Sequence, residues 1–281
     1  MRAAVLGSPI AHSLSPALHT AAYRELGLTD WSYQAIECDE TGLAGLLRSL
    51  GPDWAGLSLT MPLKQAVLPL LDHADGLVTE IGAANTVLLS DGRRLGYNTD
   101  VAGLAMALRQ AGATPDGNVV ILGGGATACS ALAALQMTGV ADPITVVVRD
   151  LARAAGLRAV ASRLGLMVQL TELSPAGLEA VPAGPGSQLL ISTLPAGAAD
   201  RIARQLVTGP LQADAVLDVV YDPWPTRLAE AAAAAGATVI SGFELLLHQA
   251  AGQVELMTGL PAPTLAMRLA GQAELRRRNI R

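Results

Sequence analysis

The segment Gly123 to Ala128 reads Gly-Gly-Gly-Ala-Thr-Ala and has the spacing of a dinucleotide-binding turn. The apolar run Val119 to Leu122 precedes it and a helix-like sequence follows, which is the context that such a turn needs. Gly123 permits a tight turn, Gly125 permits close approach of a pyrophosphate, and Ala128 lets helix and strand pack closely. Free N–H groups at the helix start would bind the anion. The pattern favours a dinucleotide site over a strand-to-helix turn with no ligand.

Two arginines follow the next predicted strand, in the segment Val148-Arg149-Asp150-Leu151-Ala152-Arg153. A carboxylate at this position would hydrogen-bond the ribose of NAD, whereas an arginine would pair with the 2′-phosphate of NADP. Arg149 and Arg153 are four residues apart at a helix start, so both guanidinium groups can reach one phosphate. The segment therefore favours NADP. Asp150 keeps NAD open, because a shift of one residue would place a carboxylate at the ribose.

Ser13 and Ser15 lie on a loop before a helix that Pro16 opens. Their hydroxyl groups can donate to a small carboxylate without placing a cation in the pocket. Capping of the helix is the alternative role, and it is a common one for serine.

The histidines and cysteines give no pattern typical of a metal site or of a disulfide framework. The histidines are His12, His19, His73 and His248, and the cysteines are Cys38 and Cys129. We expect capping or packing roles for the histidines, and we expect both cysteines to be small core residues. No metal is expected.

Composition and charge exclude several classes of protein. A chain of 281 residues with 51% hydrophobic residues fits two compact domains. The net charge is −5, and the only basic run, Arg276 to Arg278, is expected to be a solvated helix end, so we expect no nucleic-acid partner. No apolar run reaches the roughly 18 residues that cross a bilayer. We expect a cytoplasmic protein with no membrane partner and a small-molecule ligand, as a monomer or a homodimer.

Short runs of Val, Ile and Leu alternate with helical patterns, which predicts mostly parallel α/β structure. In the first third, strands are predicted at Ala3–Leu6, Trp31–Ile36 and Ala55–Thr60. The next two, Asn85–Leu89 and Arg94–Tyr97, flank Asp91-Gly92, which accepts the positive φ angles of a tight hairpin, so this pair should run antiparallel. A second series of strands is predicted at Val119–Leu122, Ile144–Val148, Leu189–Ser192, Ala215–Val219 and Thr238–Ile240.

This order predicts an α/β fold of two domains, with a Rossmann-type NADP-binding domain inserted into an N-terminal, mostly parallel α/β substrate domain. A helix over 100–111 would connect them, and helices near 243–258 and 263–278 would return to the first domain. We place the substrate-binding catalytic domain at 1–103 plus 242–281, and the NADP-binding domain at 104–241.

Motifs along the whole chain resemble, in order, the signatures of the shikimate dehydrogenase family. They are Gly7–Pro16 followed by His19, Gly56–Lys64, Ile81–Thr86, Gly96–Asp100 through Gly103, Asp218–Pro223 with Thr226, and Gly242 with Gln249-Ala250. One departure is Ser58, where the family usually has asparagine. Thr60 and Lys64, the positions that the family uses on its substrate, are unchanged.

The resemblance implies reversible, NADPH-dependent reduction of 3-dehydroshikimate to shikimate, a step of aromatic amino acid and chorismate biosynthesis. It implies these substrate contacts: Ser13, Ser15, Thr60, Lys64, Asn85, Asp100, Tyr221 and Gln249. With the glycine turn and the arginines, the expected cofactor contacts are Gly123, Gly124, Gly125, Ala126, Thr127, Arg149, Arg153, Thr193, Val219 and Gly242.

Reduction of a ring ketone needs a hydride at carbon and a proton at oxygen, so an acid must lie beside the nicotinamide. We expect Lys64 to exchange the proton and Asp100 to orient it, since both stand in the family's motifs. A solvated surface ion pair is the alternative.

Two other functions stay open. A quinate/shikimate or aminoshikimate dehydrogenase would need only a small change in the pocket. A non-catalytic NADP-binding regulator would keep the fold without the chemistry, although the presence of both Lys64 and Asp100 argues against it.

Overall fold

The structure is a computed structural model that describes residues 1–113, 117–140, 144–181, 188–208 and 213–279. Its contacts divide the chain into two compact units, Met1–Asp100 with Leu246–Arg281 and Val101–Leu245. The second unit is therefore an insertion in the first. This confirms the predicted α/β fold of two domains with C-terminal helices that return to the first.

The strands of the described residues lie in two sheets. In the first unit they are β1 (Arg2–Gly7), β2 (Ser32–Glu37), β3 (Trp54–Leu59), β4 (His73–Ala74), β5 (Thr86–Ser90) and β6 (Arg93–Tyr97). In the second they are β7 (Val119–Leu122), β8 (Ile144–Val148), β9 (Val168–Glu172), β10 (Leu189–Ser192), β11 (Ala215–Asp218) and β12 (Thr238–Ser241).

The helices of the described residues follow the same division. Before the insertion lie α1 (Ser15–Glu25), α2 (Glu40–Ser49), α3 (Leu63–Ala66) and α4 (Gly76–Ile81). Then come α5 (Asp100–Gln110), α6 (Ala126–Met137), α7 (Ala155–Arg163), α8 (Pro175–Glu179), α9 (Asp200–Thr208) and α10 (Arg227–Ala234). The chain ends with α11 (Gly242–Thr258) and α12 (Thr264–Asn279).

The sheet of the first unit has the order β2-β1-β3-β5-β6-β4. Strand β5 runs antiparallel to both of its neighbours, while the other pairs are parallel. The hairpin between β5 and β6 turns at Asp91 and Gly92, whose φ angles are 52° and 73°. These positive values confirm the hairpin predicted from the Asp-Gly pair.

Helices cover both faces of this sheet. Successive side chains of a strand point to opposite sides, so neighbouring residues of β1 belong to different cores. Leu6 of β1 belongs to one core, with Leu43 of α2. The preceding residue, Val5, belongs to another core, with Tyr23 of α1 and Met257 of α11. Elements from both ends of the chain thus build the first unit.

The sheet of the second unit is parallel throughout, in the order β12-β11-β10-β7-β8-β9. If β7 is numbered as the first strand of the unit, the order is 6-5-4-1-2-3, which is the strand order of a Rossmann fold. The strands β7, β8, β10 and β11 are fully buried, whereas β9 is a partly exposed edge strand. The sequence prediction missed β9 and the two-residue β4.

Two further features concern the whole described chain. Both cysteines, Cys38 and Cys129, are buried as expected, and both are free thiols. Within the residues that the structure describes, no helix is both long and apolar enough to cross a membrane.

Candidate functional site

A lysine and a carboxylate meet inside the first unit. Lys64 lies on the short helix α3, which follows the buried strand β3, and Asp100 is the first residue of α5. Nζ of Lys64 is 2.6 Å from Oδ2 of Asp100, and the side chains are only 16% and 6% exposed. This burial sets the pair apart from the solvated surface ion pair that was the alternative. Lys64 is also the only lysine in the sequence.

Asn85 fixes the carboxylate of Asp100 from its other side. Its amide nitrogen donates to Oδ1 of Asp100 at 2.8 Å, and it also lies 3.2 Å from Oε1 of Gln249. Its amide oxygen accepts the backbone N–H of Thr99 at 2.8 Å. A backbone N–H can only donate, so the amide oxygen must face Thr99 and the NH₂ group must face the carboxylate.

Backbone hydrogen bonds hold these elements together. The N–H of Ala84 donates to the carbonyl of Lys64 at 2.8 Å, and the N–H of Asn85 donates to the carbonyl of Tyr97 at 3.1 Å. The side chain of Asn98 accepts the N–H of Asp100 at 3.0 Å and so caps the start of α5. The structure therefore brings together four of the predicted residues, Lys64, Asn85, Asp100 and Gln249.

The predicted serines lie at the start of α1. The hydroxyl oxygen of Ser13 accepts the N–H of Ser15 at 3.2 Å, which is the local role that the sequence left open. Ser15 is buried and Ser13 is half-buried. Thr60 follows β3 directly, is half-buried, and donates its N–H to the carbonyl of Leu6 at 2.9 Å.

The C-terminal arginines are not all solvated, and this corrects the sequence prediction. Arg278 donates to the carbonyl oxygens of His12 and Ser13 at 2.7 and 3.2 Å, and to Glu274 at 3.0 Å. Its guanidinium group therefore holds the loop that carries the predicted substrate serines. Arg276, by contrast, is exposed. The planar fork of a guanidinium group suits two neighbouring carbonyl oxygens.

Sequence reasoning identified Ser58 only as a departure from the family, and it missed the buried polar residues Tyr33 and Gln253 that contact it. The hydroxyl of Ser58 accepts from the Tyr33 phenol at 2.6 Å and donates to Oε1 of Gln253 at 2.7 Å. Burial raises the pKa of the Tyr33 phenol, and its hydrogen bond with Ser58 opposes that shift. Gln253 lies four residues after Gln249 on α11, a spacing that places both on one helix face. This spacing of four residues was the signal in the sequence from which Gln253 could have been identified.

The glycine turn of the second unit has the predicted form. Gly123 has a φ of +106°, and a Cβ atom there would overlap the hydroxyl of Thr193. Only glycine meets both requirements without strain. Gly125, just before α6, faces open space, since a Cβ atom there would have no neighbour within 4 Å among the described residues. Ala128 is fully buried against the sheet.

The arginines after β8 border a cavity of about 150 Å³. Arg149 and Arg153 line it together with Gly124 and Asp150. The carboxylate of Asp150 accepts the N–H of Ala152 at 2.9 Å and lies 3.4 Å from Nε of Arg153. Asp150 thus caps the following turn and pairs with Arg153, while both arginines stay exposed beside the glycine turn, where they suit a 2′-phosphate.

A larger cavity of about 780 Å³ begins at the same turn. Its walls include Arg149, Leu178, Leu194, Ile202 and Gln205. Oε1 of Gln205 is buried, and within the described residues it has no hydrogen-bond partner. Apolar walls, an unsatisfied acceptor, the glycine turn and the arginines together fit a dinucleotide with a flat base and phosphate groups.

The remaining predicted residues lie in the second unit. A Cβ atom at Gly242 would overlap the backbone of Val219, so this glycine is required for close packing. Thr193 donates its hydroxyl to the carbonyl of Leu122 at 2.7 Å. Tyr221 is half-buried in the segment after β11. Among the described residues there is no group of His, Cys, Asp and Glu that could hold a metal ion.

Comparisons with known proteins find two matching family models and relatives that span nearly the whole chain. The shikimate dehydrogenase substrate binding domain matches residues 5–87, and the shikimate 5′-dehydrogenase C-terminal domain matches residues 242–270. The NADP(+) shikimate dehydrogenase of Halobacterium salinarum is 37% identical over 274 residues, which are 96% of this chain and 98% of the relative.

Solved structures show the same similarity. The shikimate dehydrogenase of Mycobacterium tuberculosis has a TM-score of 0.85 and 43% identity, over 97% of this chain and 99% of that one. The shikimate 5-dehydrogenase of Thermus thermophilus, solved in complex with NADP(H) and shikimate, has a TM-score of 0.82 and 34% identity, with coverage of 97% and 99%. The similarity therefore spans both units.

Proposed function

The chain belongs to the shikimate dehydrogenase family, and we propose that Lys64 and Asp100 perform the proton transfer of its reaction. The protein is an NADP-dependent oxidoreductase that reversibly reduces 3-dehydroshikimate to shikimate. This reaction belongs to the shikimate pathway of aromatic amino acid biosynthesis. The buried contact of 2.6 Å between Lys64 and Asp100 is the observation that carries the proposal.

The proton step follows from this contact. When bound, NADPH supplies the hydride that reaches the carbonyl carbon. As the electron pair of the C=O bond moves to oxygen, the Lys64 ammonium group donates a proton to that oxygen and becomes a neutral amine. Asp100 holds Nζ in place throughout. In the reverse direction the neutral amine accepts the hydroxyl proton of shikimate.

Other residues would bind and orient the ring. Asn85 lies beside Asp100 and Gln249 lies beside Asn85, and we assign both residues to ring hydroxyls. We assign Ser13, Ser15, Thr60 and Tyr221 to the substrate as well. The hydroxyl groups of the serines suit a carboxylate. The half-buried positions of Ser13 and Thr60 keep part of each residue accessible to a ligand.

The second unit would hold the cofactor. Gly123, Gly124 and Gly125, with Ala126 and Thr127 at the start of α6, would bind the pyrophosphate. Arg149 and Arg153 would bind the 2′-phosphate, and Thr193, Val219 and Gly242 would lie beside the remainder. The division into units at 100/101 and 245/246 supports a catalytic domain of 1–103 plus 242–281 and an NADP domain of 104–241. A cytoplasmic location and a monomeric or homodimeric state remain predictions.

A spectrophotometric assay tests this function. Absorbance of the reduced nicotinamide is followed while the protein is given shikimate or quinate with NADP or NAD, in all four combinations. A signal with shikimate and NADP is the expected result. A preference for quinate or for NAD would move the chain to another member of the family, and silence in every combination would favour a non-catalytic regulator.

A further inference from the structure

A buried chain of hydrogen bonds runs from Tyr33 to Asn85. The Tyr33 phenol donates to Oγ of Ser58 at 2.6 Å, and the Ser58 hydroxyl donates to Oε1 of Gln253 at 2.7 Å. Nε2 of Gln253 donates to Oγ1 of Thr86 at 3.0 Å, and the Thr86 hydroxyl donates to Oδ1 of Asn85 at 2.8 Å. In each of these hydrogen bonds the donor lies on the Tyr33 side and the acceptor lies on the Asn85 side.

This chain of hydrogen bonds ends at the pair formed by Lys64 and Asp100. The amide nitrogen of Asn85 donates to Oδ1 of Asp100, whose other oxygen contacts Lys64. Nε2 of Gln253 also donates to the backbone carbonyl of Asn85 at 3.1 Å. The side chain and the main chain of Asn85 are therefore both held by a residue from α11.

Burial makes the direction of these bonds matter. Tyr33 is 8% exposed, Ser58 3%, Gln253 1% and Thr86 0%, so water has little access to compensate a reversed bond. If the amide of Gln253 turned over, its oxygen would face the Thr86 hydroxyl and its nitrogen would face the Ser58 hydroxyl. Thr86 would then donate to Gln253 instead of Asn85. A buried polar group without its partner is costly.

We infer that Ser58 and Gln253 are positioning residues for the Lys64–Asp100 pair, because Gln253 binds the main chain of Asn85 and, through Thr86, its amide oxygen, and Ser58 holds Gln253 in that place. The inference rests on the proposed function, since it assumes that this pair transfers the proton. Tyr33 starts the chain, and its ring stacks on His19 at 3.9 Å with an interplanar angle of 15°. This stacking fixes the phenol that donates to Ser58.

The substitution Gln253→Glu tests the direction of the bonds. A protonated carboxyl group can accept from Ser58 and donate to Thr86, as the amide does, whereas the ionised form can only accept. Burial raises the pKa of a carboxyl group, so the change falls within a workable pH range. The titratable groups that face this chain of hydrogen bonds are Tyr33 with the stacked His19 and the neighbouring Tyr23 at one end, and Asp100 with Lys64 at the other. They are present in the parent too, and the parent profile over the same pH range records their titration.

We expect the kcat of the variant, relative to the parent, to fall about tenfold as pH rises through the titration of the new carboxyl group. The Kd for NADP should stay at the parent value at every pH. A ratio that does not change with pH would overturn the inference. Thermal unfolding at each pH identifies the range in which the variant is folded, and only that range is compared.

A second pair of variants covers the case in which Gln253→Glu fails to fold. Ser58→Ala removes the hydroxyl that holds Oε1 of Gln253, and Ser58→Thr keeps it. We expect kcat to fall about tenfold in Ser58→Ala and to recover in Ser58→Thr. Equal activity in both variants, whether high or low, would contradict the role of the hydroxyl.

The proposed function has a separate test in Lys64→Ala. If Lys64→Ala is inactive while the Ser58 and Gln253 variants behave like the parent, only the positioning role fails. If Lys64→Ala keeps parent turnover, the proposed proton transfer itself is wrong.

Discussion

Nζ of Lys64 lies 2.6 Å from Oδ2 of Asp100, although the two residues are 36 positions apart in the sequence. Because the proposed proton donor is removed, we expect Lys64→Ala to lower turnover by about 10²-fold or more. The Kd for NADP should stay near the parent value, since the glycine turn and the arginines lie in the other unit. Steady-state kinetics with shikimate and a binding titration with NADP check both. Turnover within a few-fold of the parent would exclude Lys64 as the donor.

The two exposed arginines of the small cavity should set the preference for NADP. In the double variant Arg149→Ala, Arg153→Ala we expect the Kd for NADP to rise about 10- to 100-fold, because charge-assisted bonds to the 2′-phosphate are lost. The Kd for NAD should change little. Arg158→Ala, on the exposed side of α7, is the matched control. An equal loss of affinity for NAD and for NADP would show that these arginines do not bind the 2′-phosphate selectively.

Two glycines of the same turn should respond differently to alanine. Gly123→Ala introduces a side chain at a φ of +106° and overlaps Thr193, so both thermal stability and NADP binding should fall. Gly125 has a φ of −86° and open space beside it, so Gly125→Ala should keep the parent unfolding midpoint. Its NADP affinity should still drop about tenfold or more if a pyrophosphate approaches the backbone there. Parent affinity in Gly125→Ala would contradict that approach.

The loop of the substrate serines should depend on Arg278. Arg278→Gln removes donors to the carbonyls of His12 and Ser13, and we expect the KM for shikimate to rise about five- to tenfold. The exposed residue Arg276 on the same helix provides the control, and Arg276→Gln should keep the parent KM. A similar KM in both variants would show that Arg278 does not contribute to substrate binding.

His19 should make stability depend on pH. It is fully buried, and burial lowers its pKa from 6.5 to about 4, against the opposing effect of its hydrogen bond with the Ser15 carbonyl. Because the unfolded chain binds the proton more readily, this contribution is fully present above about pH 6.5 and is lost as pH falls toward about 4. The loss amounts to roughly 3 kcal/mol.

Denaturant unfolding between pH 7 and pH 4 checks this expectation. The decline in the free energy of unfolding should be smaller in His19→Gln than in the parent, whereas the exposed His73→Gln should match the parent. The pKa values of Asp72 and Glu274 are held at about 2 by hydrogen bonds from neighbouring arginines, so most of their loss of stabilisation falls below about pH 4 and is shared by all three proteins. An identical decline in all three proteins would contradict the assignment to His19.

Most of the fold could be predicted because its signals are local. Buried strands such as Val119–Leu122 are continuous apolar runs, and Asp91-Gly92 marks a hairpin by its own backbone preference. The edge strand Val168–Glu172 is not a continuous apolar run, because its apolar and polar residues alternate over only a few positions, and it is held by pairing with β8. A pairing of that kind is tertiary and leaves little trace in a short segment.

Some residues of the candidate site could likewise be predicted from local signals in the sequence, and others could not. Lys64, Asn85 and Asp100 could be identified from motifs, whereas the hydrogen bond between Ser58 and Gln253 joins residues 195 positions apart. The docking of Arg278 on the Ser13 loop spans 265 positions, and the arginine run alone favours a solvated helix end. Side-chain hydrogen bonds at such separations depend on the packed structure, and a single sequence carries no direct signal of them.

The insertion of the second unit has a consequence for biosynthesis. Lys64 and Asp100 leave the ribosome before the inserted unit, and Gln249 and Gln253 leave after it. At typical rates of translation the interval is on the order of ten seconds. The nascent chain thus carries its lysine and carboxylate for that time without the glutamines that orient them. Assembly of the complete site is therefore one of the last events in the production of the protein.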